Sequence, residues 1–205
     1  MILQRSLFGV GAPAVDPHSV FERVDLERGS WIDVARGFLS GADTLFDRLS
    51  AGVDWRQGRR WMFDRMVDDP RLSRWFNRDE PVPDEALEEV RQALTHRYGV
   101  TFGSVGLNFY RDGRDSVAFH RDRELRHLDD TLVAIVTLGG QRPFLVRPRT
   151  GGASIDLSPA SGDLLVMGGR CQADHEHGVP KVAHAGPRIS LSYRWSGQFT
   201  RLRNA

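Results

Sequence analysis

The chain has 205 residues, of which 40% are hydrophobic and 27% charged, with a formal net charge of +1 at pH 7. These values are typical of a globular protein that can bury a sizeable core. The single cysteine, Cys171, excludes an internal disulfide and fits a reducing compartment. No apolar run approaches bilayer length, and the first residues lack the apolar core of a signal peptide. We therefore expect a cytoplasmic protein with no membrane partner, and we expect it to be a monomer, although the sequence itself does not determine the oligomeric state.

The first 99 residues predict an extension with short strands and two helices. Residues 1–39 combine turn formers with short apolar pieces such as Trp31-Ile32, which predicts an irregular arm with one or two edge strands. The segment Ser40-Gly41-Ala42-Asp43 has the pattern of a capping box and predicts a helix to about Ser50. A second helix is predicted to start at Pro83-Asp84 and to stop at Gly99, because apolar residues recur between them at helical spacing.

From Val100 onward the pattern changes to short strands separated by turns. The predicted strands are 104–110, 115–122, 132–138, 143–148, 154–157, 163–167, 178–182 and 188–195. Strands at this spacing favour a sandwich or barrel, and a double-sheet jelly roll brings distant strands together at one open mouth. We predict a mainly β protein with N-terminal helices (α+β). Its double-stranded β-helix, or jelly roll, would occupy residues 100–205, after the extension at 1–99, in one structural domain overall.

His120 and Asp122 are the first candidate metal ligands. Because they are two residues apart, their side chains leave the same face of an extended strand. An imidazole and a carboxylate are two members of the 2-His-1-carboxylate triad, which binds non-haem Fe(II) and leaves positions open for oxygen and a co-substrate. The third ligand should be a histidine of another strand, and spacing alone cannot choose between His175 and His177. The alternative is a surface histidine beside a solvated carboxylate.

The segment 188–195 alternates strictly between polar and apolar residues. Arg188 and Arg194 fall on the polar face, together with Ser190 and Ser192. A buried guanidinium without an anionic partner is very costly, so two inward arginines indicate an anionic ligand. A dicarboxylate such as 2-oxoglutarate would satisfy both. The alternative is a solvated strand face with scattered arginines.

Together these residues resemble the AlkB-type Fe(II)/2-oxoglutarate-dependent dioxygenases, which remove alkyl lesions from nucleic-acid bases. The resemblance runs from about Asp54 to Trp195. It rests on the joint order of several motifs: Asn108-Phe109-Tyr110, His120-Arg121-Asp122, Gly162-Asp163, Gln172-Ala173-Asp174, His177-Gly178-Val179-Pro180-Lys181 and Pro187-Arg188 through Arg194. It implies Fe(II) on His120, Asp122 and His177, because the distal histidine of the family lies beside the segment matched here by Val179-Pro180-Lys181.

The resemblance also implies a co-substrate site and a reaction. Arg188 matches the arginine that binds the distal carboxylate of 2-oxoglutarate, and Arg194 matches the one near the carboxylate by the metal. The other matching positions are Asn108, Tyr110, Thr137 and Ser190. The implied reaction consumes O₂ and 2-oxoglutarate, releases succinate and CO₂, and hydroxylates the N-alkyl carbon, after which the product loses an aldehyde.

The resemblance predicts a substrate lid in residues 55–76. The candidates for stacking on the target base are Trp61, Phe63, Trp75 and Phe76, although any of them could instead be a core residue. Glu124 matches an acidic position that helps to read the base. After Asn77 the chain turns acidic where family members that act on DNA usually have an aromatic-rich strand, so we expect single-stranded alkylated nucleic acid to be preferred.

Two alternatives remain open at this point. The first is a small-molecule 2-oxoglutarate hydroxylase on the same scaffold. The second is a non-catalytic nucleic-acid-binding module with a structural metal, although such a module would not need the co-substrate arginines.

Overall fold

The computed structural model describes residues 9–62 and 64–197. The strands are β1 (Ala14–Val15), β2 (Phe21–Asp25), β3 (Ser30–Ala35), β4 (Leu39–Ser40), β5 (Arg56–Met62), β6 (Arg65–Phe76), β7 (Val105–Tyr110), β8 (Val117–His120), β9 (Thr131–Gly139), β10 (Leu145–Pro148), β11 (Ile155–Asp156), β12 (Leu164–Gly169), β13 (His175–Val179) and β14 (Arg188–Ser196). The helices are α1 (Ala42–Gly52), α2 (Glu85–Tyr98) and the one-turn α3 (Cys171–Asp174), and a 3₁₀ turn spans Glu27–Gly29. None of the described helices is long and apolar enough to cross a membrane.

The strands form two main antiparallel sheets. Within the described residues, the larger has eight strands in the order β2-β3-β12-β9-β14-β7-β6-β5, and the smaller has four in the order β11-β10-β13-β8. Neighbours in both sheets are mostly distant in sequence, as expected of a jelly roll. The predicted mainly β architecture with N-terminal helices is confirmed.

The core lies on both faces of the large sheet. All nine residues of β9 are buried. Its even-numbered residues from Leu132 to Leu138 pack with α1 and α2, whereas Val133 and Ile135 belong to a second apolar cluster that includes residues of the small sheet. The apolar face predicted for β14 is confirmed, because Ile189 belongs to the helix-side cluster together with Leu191 and Tyr193. The opposite face of β14 is therefore free to line a site between the sheets.

The two long helices begin differently. The Asp84 carboxylate caps α2 by accepting a 3.0 Å hydrogen bond from the backbone of Ala86, and Gly99 ends the helix at φ 64°, as predicted. The capping box predicted for α1 is wrong. Its N-cap is Gly41 in the left-handed conformation, and the Ser40 hydroxyl donates to the Ala14 carbonyl instead. Ser40 is drawn away because it pairs with Ala14 in the β1–β4 ladder.

Two strand predictions need correction. Residues 30–35 do not belong to an irregular edge, because β3 is paired with β2 on one side and with β12 on the other. The strand predicted at 178–182 is β13, which starts at His175 and ends at Val179. It ends there because Pro180 has no N–H to donate to a ladder. The described residues of the segment 55–76, predicted as a lid, contribute β5 and β6, which pair with each other at one edge of the large sheet, with β6 also paired to β7.

Candidate metal centre and co-substrate pocket

His120, Asp122 and His177 converge at one end of the small sheet. The β8–β13 register places His120 opposite His177, with ring centroids 4.4 Å apart. Asp122 follows β8, and its Oδ1 lies 3.8 Å from His120 Nε2. One ligand atom from each residue lies within 4.8 Å of the others. Two imidazoles and a carboxylate form the donor set that suits Fe(II) with open positions.

Hydrogen bonds orient the residues at this centre. The Nδ1 of His120 lies 3.0 Å from the Ala118 carbonyl, which requires a proton on Nδ1 and leaves Nε2 free as the ligand atom. The backbone N–H of Asp122 donates to Gln172 Oε1 at 2.9 Å, and Gln172 is completely buried on α3. Since α3 leads directly into β13, Gln172 ties the Asp122 backbone to the segment that carries His177. Gln172 belongs to one of the matched motifs, but the sequence indicated no role for it.

Burial and neighbouring charges set the protonation states. Burial raises the pKa of Asp122, but the charge and the hydrogen bond of Arg194 act in the opposite direction, and the pKa lies below its ordinary value. Arg194 Nε donates to Asp122 Oδ2 at 2.6 Å. Burial, reinforced by His120, lowers the pKa of His177 to about 3. A carboxylate and a neutral imidazole are the forms that bind a metal.

The neighbouring histidine, His175, is placed differently. It is also buried on β13, but it pairs with Pro148 and is not part of the three-residue group. Among the described residues its Nδ1 has no hydrogen-bond partner. The structure thus brings His177, rather than His175, to His120 and Asp122.

Arg188 is a buried guanidinium with incomplete hydrogen bonding. Its side chain is 1% exposed, and burial lowers its pKa to about 10. Nη2 donates to Thr137 Oγ1 at 3.0 Å, but Nε and Nη1 have no partner among the described residues. Because buried donors without acceptors are costly, these two groups fit a ligand carboxylate.

A cavity of about 450 Å³ contains the three-residue group. The residues predicted for metal, co-substrate or base that line it are Asn108, Tyr110, His120, Asp122, His177, Ser190, Arg194 and Trp75. Arg188 and Thr137 are not in this lining. Tyr110 does line the cavity, and the Arg188 guanidinium lies 5.4 Å from the centre of its ring.

The candidates for base stacking have different locations. Trp75 is 42% exposed in the cavity wall, with its ring 5.2 Å from the Arg194 guanidinium. It lies over Gly106 of β7, where an added Cβ would come within 2.7 Å of the ring. The prediction for Phe76 is wrong. Adjacent strand residues face opposite sides, and Phe76 is 7% exposed in the helix-side core.

The remaining substrate candidates lie outside the cavity or outside the described structure. Trp61 is 66% exposed on β5 but does not line the cavity. Glu124 is exposed and also outside the lining. Phe63 lies outside the described residues.

Arg71 and Phe144 are residues of the cavity wall to which sequence reasoning assigned no role. Arg71 belongs to the segment compared with the family, and in the structure its Nε donates to Asn108 Oδ1 at 2.9 Å. The ring of Phe144 stacks on His177, with centroids 5.6 Å apart. No local pattern could reveal Phe144, because its contact depends on the long-range pairing of β10 with β13.

The fold and this centre define a known class of protein. Residues 44–194 match the 2OG-Fe(II) oxygenase superfamily, and the chain belongs to it. A solved oxidoreductase of the 2OG-Fe(II) oxygenase family from Burkholderia pseudomallei has the same fold, with a TM-score of 0.57 and 19% identity over 83% of this chain and 86% of that one.

Within this class the chain is homologous to AlkB-type dioxygenases, as the motifs predicted. It is 31% identical over 177 residues to the alpha-ketoglutarate-dependent dioxygenase alkB homolog 3 of Rattus norvegicus. This alignment covers 76% of this chain and 60% of the relative. It is 27% identical over 234 aligned positions to the DNA oxidative demethylase ALKBH2 of Arabidopsis thaliana, covering 92% of this chain and 74% of the relative. The chain thus spans about three fifths of the length of the rat relative.

Proposed function

We propose that the protein is an Fe(II)- and 2-oxoglutarate-dependent dioxygenase that removes N-alkyl groups from nucleic-acid bases. The observation that carries this proposal is the proximity of two incomplete sites. A group of two histidines and an aspartate lines the same cavity as Tyr110, and Tyr110 contacts a buried arginine with unpaired donors. A structural metal would need the first site but not the second.

The residues present fit both groups. His120, Asp122 and His177 would hold Fe(II), and the unpaired N–H groups of Arg188 would receive the distal carboxylate of 2-oxoglutarate, with Thr137 fixing the guanidinium. The remaining co-substrate contacts would come from Asn108, Tyr110, Ser190 and Arg194. When bound together with O₂, these groups supply the oxidation, in which one oxygen atom enters succinate as CO₂ leaves and the other enters a C–H bond of the alkyl group. The hydroxylated carbon then leaves the base nitrogen as an aldehyde.

The protein's own contribution is positioning and shielding. Apolar walls from Ile135, Phe144 and Val179 limit water around the centre. The exposed face of Trp75 offers a stacking surface for a base, worth about 1–3 kcal/mol per base in single-strand binding. Arg194, which pairs with Asp122 in the free protein, also has a buried Nη1 with no partner among the described residues, so it can bind a second carboxylate without releasing the first.

Lesion-dependent turnover tests this proposal. The purified protein, with Fe(II) and 2-oxoglutarate, is incubated with a panel of methylated and unmethylated DNA and RNA oligonucleotides, and succinate is measured. We expect succinate formation to rise with at least one methylated strand over its unmethylated counterpart. Turnover that no lesion stimulates would contradict the proposal.

A second candidate is a hydroxylase for an anionic small molecule. The observation in its favour is the basic cavity wall, to which Arg71, Arg74 and Arg123 contribute. The same assay separates the two functions, because a small-molecule enzyme would form succinate with an anionic metabolite but not in response to a lesion.

A further inference from the structure

Arg142, in the segment between β9 and β10, is a second arginine with almost no exposed surface. It is 1% exposed, as is Arg188. Its guanidinium lies 5.7 Å from the centre of the Tyr110 ring, and that of Arg188 lies 5.4 Å from the same point. Tyr110 lines the cavity, and neither arginine does. Two buried cations therefore adjoin one residue of the cavity wall.

Arg142 donates its hydrogen bonds to backbone carbonyl groups. Its Nη1 donates to the Asp112 carbonyl at 2.9 Å, and its Nη2 donates to the carbonyls of Asp115 at 2.9 Å and Pro180 at 2.6 Å. These bonds join the segment between β7 and β8 to the residue that follows β13, and so support the strands that carry the two histidine ligands. Carbonyl groups are dipoles without net charge, and Nε has no partner among the described residues. Hydrogen bonding therefore leaves the charge of this buried guanidinium uncompensated.

The aspartates of the segment between β7 and β8 are already paired with other arginines. The Asp115 carboxylate accepts hydrogen bonds from Nε and Nη2 of Arg111 at 2.8 and 2.9 Å. The Asp112 carboxylate accepts one from Nη2 of Arg114 at 2.7 Å. These two aspartates thus offset two exposed or half-buried arginines, and the charges of the two buried arginines remain. Among the described residues, neither buried arginine donates to a carboxylate.

The two buried guanidiniums influence each other. Burial is the main cause that lowers the pKa of Arg188 to about 10, and the positive charge of Arg142 acts in the same direction. Burial also lowers the pKa of Arg142 below its ordinary value. Because arginine stays protonated in proteins, the ligand-free protein holds two like charges close together in an environment of low dielectric constant. An anion bound near both guanidiniums would offset this repulsion.

We propose that Arg142 is a positioning residue for the co-substrate, whose charge, acting past Tyr110 without contact, favours a 2-oxo acid that has a second carboxylate. The inference rests on the proposed function, which supplies the co-substrate. Arg188 would bind that carboxylate directly, because it has two unpaired donors. Arg142 would add only its charge, because both of its Nη atoms are occupied by carbonyl oxygens. In a protein interior, where water screens little, such a charge acts over several ångströms.

Two 2-oxo acids provide a matched pair of ligands. 2-Oxoglutarate and 2-oxopentanoate share the end that would bind the metal, and the second has a methyl group where the first has its distal carboxylate. Each is titrated without oxygen into the protein loaded with Co(II), and calorimetry gives the dissociation constants, with the weaker ligand measured by competition. The ratio of the two constants reports recognition of the distal carboxylate. A partial loss of folding or of metal affects both ligands and does not change this ratio.

Arg142→Gln and Arg142→Lys separate the charge from the hydrogen bonds. Glutamine keeps two N–H donors for the carbonyl oxygens but has no charge, whereas lysine keeps the charge and has three donors. We expect Arg142→Gln to lower the preference for 2-oxoglutarate by about tenfold, and Arg142→Lys to keep it within about threefold of the wild-type value. Arg149→Gln is the control, because Arg149 is exposed and does not line the cavity. It makes the same change of charge and should leave the ratio unchanged.

Several outcomes would overturn this role of Arg142. An equal loss of affinity for both acids in Arg142→Gln would show that Arg142 only supports the fold, and a loss of the preference in Arg142→Lys as large as in Arg142→Gln would show that the charge is not the cause. Arg188→Met gives a test that does not require an Arg142 variant to fold. It should keep a several-fold preference for 2-oxoglutarate, and equal binding of the two acids would exclude a contribution from Arg142. If the wild-type protein bound neither acid, the proposed function itself would be wrong.

Discussion

His175 and His177 share a strand and a residue type, yet their surroundings differ. His177 pairs across the ladder with His120, while its ring is covered by Phe144. His175 lies at the start of β13 opposite Pro148, and Asp122 is not among its charged neighbours. We propose His177 as the third ligand on this basis.

Alanine substitutions of these two histidines test the ligand assignment. We expect His177→Ala to abolish Fe(II)-dependent turnover and to lose binding of Co(II), a spectroscopic substitute for Fe(II). His175→Ala, as the matched control on the same strand, should keep most of both. Loss of metal in His175→Ala with retention in His177→Ala would show that the ligand assignment is reversed.

Arg188 presents a different balance between stability and binding. A buried guanidinium without an anionic partner lowers the stability of the folded protein. We infer that Arg188 serves ligand binding rather than stability of the ligand-free protein. Arg188→Met should raise the apparent KM for 2-oxoglutarate by roughly ten- to a hundredfold, because a charge-assisted pair is worth about 1.5–3 kcal/mol. Thermal unfolding of the cofactor-free variant should show no loss of stability. Arg114→Met is the control, because the Arg114 side chain is 90% exposed and does not line the cavity. An unchanged 2-oxoglutarate titration in Arg188→Met would show that Arg188 does not bind the co-substrate.

At the scale of single elements, the features that could be predicted from the sequence are those that depend on local patterns rather than on strand pairing. The strict alternation of 188–195 predicted which residues of β14 face the core and which face the cavity, because side-chain direction in a strand follows from the backbone alone. In the same way, apolar residues at helical spacing between an N-cap and a terminal glycine were enough to predict α2. These features need no knowledge of distant residues.

The features that were not predicted depend on long-range contacts. The position of β3 inside the sheet follows from its pairing with β12, more than a hundred residues away in the sequence. Trp75 and Phe76 were equal candidates for stacking on a base, and only the register with β7 shows which of the two faces the cavity. Spacing in the sequence could not distinguish His175 from His177 for the same reason.

The short helix α3 offers a test of how elements position ligands. Gln172→Leu removes the acceptor of the Asp122 backbone N–H, and loss of such supporting hydrogen bonds typically weakens metal binding about 10- to 100-fold. Co(II) affinity measured by absorbance or calorimetry should fall accordingly, and circular dichroism checks that the fold is retained. Gln92→Leu, on the exposed surface of α2, is the control. Equal Co(II) affinity in both variants would show that Gln172 does not position Asp122.

At the scale of the whole molecule, two groups of arginines are candidates for binding a nucleic-acid backbone. Arg121 and Arg123 line the cavity. The hairpin residues Arg56, Arg59 and Arg60 are instead paired with Asp54, Asp68 and Asp69 at 3.1, 3.0 and 3.1 Å. Exposed ion pairs contribute little to stability, so phosphates can compete for these arginines, although their net contribution is smaller than isolated charges would give.

We expect single strands to be better substrates than duplexes. The β5–β6 hairpin passes from Trp75 and Phe76 into an acidic segment without a further aromatic strand, which leaves less to offset the few kcal/mol of flipping a base from a duplex. Initial rates on one methylated oligonucleotide, alone and annealed, should favour the single strand and should fall as salt rises. Equal or faster turnover on the duplex would show that another element performs the flipping.

The most direct test of the central claim is the stoichiometry of a single reaction. A methylated single strand is supplied as the limiting substrate, and repaired base, formaldehyde and succinate are measured together by mass spectrometry. The account predicts the three products in equal amounts, and their joint loss in His177→Ala. Succinate without repaired base or formaldehyde, for every lesion tried, would contradict nucleic-acid dealkylation as the function of this protein.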